Sequence, residues 1–127
     1  MEPPIITERI YISGPMSGLT REEYTRRFNY VEGKLRELGY RDIINPTRLF
    51  ISKPWVYRIM GYRLTLLYDL WLLMHCQRIY KMPGWKQSRG ANIESCVAFH
   101  FSVSVVQKPT REQLDKDFND FIHSETE

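Results

Sequence analysis

Apolar positions along the chain alternate between two periods. Arg9-Ile-Tyr-Ile-Ser-Gly-Pro predicts a short strand that stops at Gly14-Pro15. Thr20 with Glu23 three residues later signals the start of a helix. Tyr24, Phe28, Val31, Leu35 and Leu38 then recur at helical spacing, and Gly39 is placed to end that helix. Asp42 to Asn45 predicts a second strand, broken by Asn45-Pro46. From about Trp55 to His75 the pattern is helical with two apolar stripes. One is Met60, Leu64, Leu67, Trp71 and Met74; the other is Ile59, Leu66, Leu70 and Leu73. A helix apolar on two faces must bury both, one against the sheet and one against a partner helix or subunit. Arg78 to Met82 predicts a third strand, closed by Pro83-Gly84-Trp85. Ser88 is positioned to cap a helix over about Arg89 to Phe101, and Val103, Ser104, Val105 and Val106 predict a fourth strand. Pro109-Thr110 opens a last helix, with Gln113 at the capping-box position and Leu114, Phe118 and Phe121 as its apolar face. The polar tail after His123 is expected to fray.

Strands alternating with helices imply an α/β fold: a small doubly wound parallel sheet with helices on both faces, in a single domain over residues 1–127. In such sheets ligands bind beyond the carboxyl ends of the strands. That rule selects the loop after the first strand, the turn after the second, and the Pro83 to Gly90 loop.

Composition narrows the class. The 127 residues are 43% hydrophobic and 26% charged, as in a globular domain with its own core, which excludes disordered and disulfide-scaffold chains. The net charge of +3 is not gathered into a basic block, so a nucleic-acid partner is not expected. Cys76 and Cys96 have no metal-ligand spacing and read as reduced core residues. The first residues lack the apolar segment of a signal peptide. The longest apolar run, Leu64 to Met74, contains Asp69 and is shorter than the ~20 residues of a membrane span. A cytoplasmic protein with no membrane partner is the expectation.

Three places hold candidate chemistry. Tyr11-Ile-Ser-Gly-Pro-Met-Ser-Gly18 is rich in small residues that let backbone N–H groups approach a ligand, and the helix from Thr20 offers its positive end to an anion. It is neither the dinucleotide fingerprint nor a nucleotide-triphosphate phosphate loop, and it also reads as a tight connection without a ligand. In Pro83-Gly-Trp-Lys-Gln-Ser-Arg-Gly-Ala-Asn-Ile-Glu94, a hydroxyl, a guanidinium and free N–H groups suit a phosphate or carboxylate. Glu94 lies in an otherwise apolar helix, where it is either used or satisfied by Arg89 or solvent. Asp69 is the lone acid of its apolar helix and is either used or paired with Arg58 or Arg63. Two acids from different helices near one pocket suit glycosidic chemistry. Trp85 could stack on a ring or plug its loop, while Lys81, Lys86 and Lys108 read as solvated. The three histidines share no ligand spacing, so no metal is expected.

Taken together, Tyr11 to Gly18, Asp69-Leu70 and Pro83 to Glu94 resemble a bacterial and phage family of uncharacterised domains related to nucleoside 2-deoxyribosyltransferases. The resemblance runs from about Arg9 to Val106. It implies a flavodoxin-like sheet of four to five strands, and cleavage or exchange of the N-glycosidic bond of a nucleoside or nucleotide without a cofactor. By this resemblance Glu94 matches the nucleophile. Asp69 matches an acid that assists at the sugar or the leaving base, and Tyr11 matches the residue that orients the nucleophile. The substrate-binding set is then Ser13, Gly14, Pro15, Met16, Ser17 and Gly18 on the first loop, and Trp85, Ser88, Arg89 and Gly90 on the second. A serine six residues before the nucleophile is the pattern of relatives that hydrolyse nucleotides, so Ser88 with Arg89 favours a nucleoside 5′-monophosphate. Gln77 stands where the family usually has an acid, a departure that bears on base handling or on catalysis itself. The relatives form dimers or larger assemblies, which agrees with the two-faced helix. The alternatives are a nucleotide-binding sensor or sequestering module without turnover, and an interaction domain that keeps the fold alone.

Overall fold

The computed structural model describes residues 4–16, 18–48 and 54–126. Strands β1 (Ile6–Ser13), β2 (Tyr40–Ile44), β3 (Arg78–Lys81) and β4 (Ser104–Val105) alternate with helices α1 (Arg21–Leu38), α2 (Pro54–Met74), α3 (Arg89–His100) and α4 (Thr110–Thr126). The strands form one sheet in the order β2-β1-β3-β4, and every pairing is parallel. The chain adds β2 on one side of β1 and β3 on the other. This is the arrangement of flavodoxin-like folds, and it leaves a crevice at the carboxyl ends of β1 and β3.

Local chemistry accounts for the helix ends. Thr20 Oγ1 accepts from the Glu23 backbone N–H at 3.1 Å, and Gly39, at φ 112°, returns its N–H to the Arg36 carbonyl. A Cβ on Gly39 would fall 2.0 Å from the Pro4 carbonyl oxygen, so this turn is closed to other residues. β1 is the central strand, and its pleat sends Ile10 and Ile12 to one face and Tyr11 and Ser13 to the other; all four are buried. Ile10 and Ile12 join Phe28, Val31 and Leu35 of α1 and Leu114 and Phe118 of α4 in the larger core. Tyr11 joins Leu73 of α2, Ile79 of β3 and Ala98 of α3 in the smaller one.

Several details differ from the pattern-based expectation. β1 begins three residues earlier, at Ile6, and β4 shrinks to two residues at the sheet edge. α2 is interrupted at Gly61 (φ 80°, ψ 170°), a conformation that glycine adopts at little cost. Its Leu73 stripe faces the sheet, whereas Leu64, Leu67, Trp71 and Met74 are exposed. The side chains of Ile59 and Met60 lie outside the described residues. The tail does not fray at His123, because Phe121 stacks on Tyr30 (centroids 4.1 Å apart), Ile122 packs on the core and Glu125 approaches Arg26 at 3.2 Å. Gln113 makes no capping box; its amide donates forward to Asp117 at 2.9 Å. Among the described residues, no helix is long and apolar enough to cross a membrane.

Candidate active site

The crevice beyond β1 and β3 receives one face of α3. Ser88 starts that helix, its Oγ accepting from the Ala91 N–H at 3.3 Å, and Ala91, Glu94 and Ala98 form the buried side. Glu94 is only 7% exposed. A carboxylate in that position is costly unless donors meet it. Two do, both from the odd-numbered face of β1: Tyr11 Oη donates to Glu94 Oε2, and Ser13 Oγ donates to Oε1 at 2.7 Å. The α3 carboxylate is thus clamped by hydroxyls two residues apart on the central strand. Arg89, offered by the sequence as a partner, is exposed and is not among the residues that hold Glu94.

Burial pushes the Glu94 carboxyl up to about 7, against the Tyr11 and Ser13 hydrogen bonds that favour its charged form. Asp69, half-buried on α2, is also pushed up to about 7, first by burial and then by the charge of Glu94. Burial, followed by the charges of Glu94 and Asp69, holds the Tyr11 phenol well above its ordinary value, so it remains a donor. The two acids named from the sequence therefore act on each other and on the same tyrosine, although they lie 25 residues apart in the chain (69 and 94). No basic side chain among the described residues pairs with Asp69; the Arg63 side chain lies outside them.

The flanking loops pack on each other. A Cβ on Gly14 would fall 2.6 Å from Met82 Sδ, so glycine lets the end of β1 pass close to the end of β3. Gly84 lies against Pro15, at 3.6 Å from an added Cβ. Met16 packs against the core shared by α1 and α4, Gly18 is exposed, and Ser17 lies outside the described residues. Ser88 is buried, Gly90 half-buried and Arg89 exposed at the start of α3. Trp85 is half-buried, and the Lys81 ammonium sits 4.2 Å from its ring centroid.

Some roles differ from the sequence reading. Ser13, named for substrate, donates its hydroxyl to Glu94. Gln77 lies at the far end of the sheet, before β3, where its Oε1 accepts from the Arg9 N–H at 2.7 Å. Its departure from an acid therefore lies away from Glu94. Cys76 is buried and its thiol is pushed up to about 12 by burial, whereas Cys96 is exposed rather than in the core. Lys81, read as solvated, is half-buried and meets Ser95 Oγ at 3.3 Å. Its place at the carboxyl end of β3, on the same face as Ile79, is the signal that could have marked it. Asn92 was not singled out either. Its amide donates to the Lys86 and Ser88 carbonyls, both at 2.8 Å, and ties the loop before α3 to the helix.

The model of a family described as a domain of unknown function, DUF4406, matches residues 8–107. That span contains most of β1, all of β2, β3 and β4, both loops, and Tyr11, Ser13, Asp69 and Glu94. No curated protein and no solved structure matches the chain.

Proposed function

The chain belongs to the DUF4406 family, and from its buried carboxylate site we propose an enzyme that cleaves or exchanges the N-glycosidic bond of a nucleoside 5′-monophosphate through Glu94. The observation that carries this reading is the clamp of Tyr11 and Ser13 on a buried glutamate, beside a second carboxyl raised toward neutrality.

Each carboxylate oxygen has two lone-pair sites, so after its hydrogen bond each Glu94 oxygen keeps one for a reacting carbon. The clamp fixes the rotamer and favours the ionised form, which is what a nucleophile needs. Burial, then the Glu94 charge, raises Asp69 to about 7, the same level as Glu94, so the pair shares a proton near neutral pH. The Tyr11 and Ser13 donors favour the charge on Glu94, which leaves the proton to Asp69 as the acid. In the first step a Glu94 oxygen forms a bond to C1′ as the C1′–N bond breaks. The electron pair leaves with the base, which takes the Asp69 proton directly or through a water. In the second step the Asp69 carboxylate takes a proton from water, the water oxygen bonds to C1′, and the ester to Glu94 breaks. A second base in place of water gives transfer rather than hydrolysis.

The monophosphate is assigned to the start of α3. There the Ser88 hydroxyl, whose oxygen caps the helix, still has a proton to donate, and the Arg89 guanidinium stands exposed beside it. A second copy of the chain is the partner assigned to the exposed stripe Leu64, Leu67, Trp71 and Met74. The stripe carries no charge and lies on the helix that bears Asp69, and an uncharged patch of this kind would pair with its own copy about a two-fold axis. Light scattering should give a dimer or larger assembly that Trp71→Glu dissociates; a monomeric wild type removes this assignment. The reaction itself is tested by incubating the full chain with the common nucleosides, deoxynucleosides and their 5′-monophosphates, each with and without a second free base, and separating the released base by chromatography. Base released from monophosphates and not from nucleosides supports the reading. No base from any of them ends it and leaves a binding module.

A further inference from the structure

A second polar region lies at the same edge of the sheet, beyond β3. A groove of about 570 Å³ opens between the β3–α3 loop and the start of α4. Its wall holds four cations, Lys81, Lys86, Lys108 and Arg111, and two acids, Glu112 and Asp115. Only one of the two acids is paired with a cation, so the other three cations face one acid, Asp115, whose partner is an uncharged phenol. Glu112 pairs with Lys108 at 3.3 Å, and Asp115 accepts from Tyr80 Oη at 2.6 Å. Among the described residues, no carboxylate pairs with Lys81, Lys86 or Arg111.

These cations are held together at a cost. Lys81 is half-buried between Ser95 and the Trp85 ring, and the Lys86 ammonium lies 5.9 Å from the centroid of the same ring. Burial pushes the Lys81 ammonium below its ordinary value, and the charges of Arg111 and Lys86 push it further. Like charges gathered in a partly desolvated groove repel unless an anion joins them. The groove lies where β3 and β4 end, the edge at which parallel sheets present ligands.

We propose that this groove binds a small molecule carrying a phosphate or pyrophosphate group, with Lys81, Lys86 and Arg111 as its counter-ions and Trp85 as its wall. A tetrahedral oxyanion with two or more charges matches two ammonium groups and one guanidinium fork better than a single carboxylate does. Glu94, Asp69 and Ser88 are not part of the groove wall, which shares only the loop that carries Trp85 with the substrate-binding set.

The test is isothermal titration of the full chain with inorganic pyrophosphate and, separately, inorganic phosphate, at low and at physiological salt. A saturable site is expected in the groove, tighter for pyrophosphate, weakened by salt and kept in Ser88→Ala, which removes only the phosphate site assigned to the start of α3. The double variant Lys86→Gln/Arg111→Gln should weaken it by about tenfold or more, a loss of roughly 1.4 kcal/mol at the least. Glu94→Gln should leave it unchanged. A Trp85 fluorescence change on binding, absent in Trp85→Phe, places the anion beside the ring. Two results overturn the proposal: no saturable binding of either anion to the wild type, or binding that survives the double variant. In the second case, loss of binding in Ser88→Ala would show that the anion sits at the start of α3. Thermal melts of each variant exclude unfolding as the cause.

Discussion

The two faces of the sheet are built to different ends from the same strands. The face under α1 and α4 is a broad apolar core of Ile10, Ile12, Phe28, Val31, Leu35, Leu114 and Phe118. The face under α2 and α3 has a smaller core and carries the buried polar set of Tyr11, Ser13 and Glu94. β1 serves both, because its side chains point alternately to the two faces. Even positions 10 and 12 give stability, and odd positions 11 and 13 give a carboxylate its donors. A polar cluster of this kind is affordable only because the opposite face supplies the packing.

The largest expected contrast comes from one substitution on each face. Glu94→Gln should cut base release by about 10⁴-fold or more, since it removes the nucleophile, and should leave the far-ultraviolet circular dichroism unchanged. Phe28→Ala should do the reverse. Phe28 is 1% exposed in the larger core, and its loss should cost about 3–5 kcal/mol and lower the melting temperature by roughly 15 °C. Activity per folded molecule should survive. If Phe28→Ala abolishes activity in the folded fraction, or Glu94→Gln unfolds the domain, the division of labour between the faces is wrong.

The sequence revealed one face more fully than the other, for physical reasons. Periodicity reports burial, so the helical spacing of Phe28, Val31 and Leu35 and the cap pair Thr20 and Glu23 were readable. The anomaly of an acid among apolar neighbours likewise marked Glu94 and Asp69. What the pattern could not show was who satisfies the acid; the family resemblance alone points to Tyr11, and it makes Ser13 a substrate contact. Ser13 and Tyr11 lie more than 80 positions from Glu94 in sequence, and only the register of β1 against α3 brings them together. The interruption at Gly61 and the extension of α4 to Thr126 depend on backbone conformation and on contacts with α1, which no local pattern encodes. Lys81 was misread because a lysine at a strand end is ordinarily solvated, and its burial comes from the Trp85 loop folding over it.

A smaller effect should appear in stability against pH. Glu94 and Asp69 are each raised to about 7 in the fold, from 4.5 and 3.8 respectively. Between these limits the folded chain binds more protons than the unfolded one. Their contribution therefore favours the fold below about pH 4 and is lost as pH rises toward 7. Glu94→Gln removes one share of that loss. The variant should match or trail wild type at pH 4 and exceed it at pH 8 by roughly 1–3 kcal/mol, after allowance for weaker hydrogen bonds to Tyr11 and Ser13. Urea denaturation at the two pH values measures the difference, and equal stability at pH 8 would mean that the carboxylate carries no burial penalty.

The smallest effect is the most specific to the clamp. Tyr11→Phe keeps the ring in the core and deletes one hydroxyl, leaving Ser13 as the remaining donor to Glu94. The Tyr11 hydrogen bond lowers the Glu94 carboxyl against the pull of burial, so its loss must raise it further. The acid limb of the kcat/KM profile, which follows ionisation of the coupled pair, should move to higher pH, and the rate on the plateau should fall by about tenfold. A merely structural tyrosine would lower stability and leave that limb where it was. A profile that keeps its position while the plateau drops would therefore reduce Tyr11 to packing and leave Ser13 alone to orient the nucleophile.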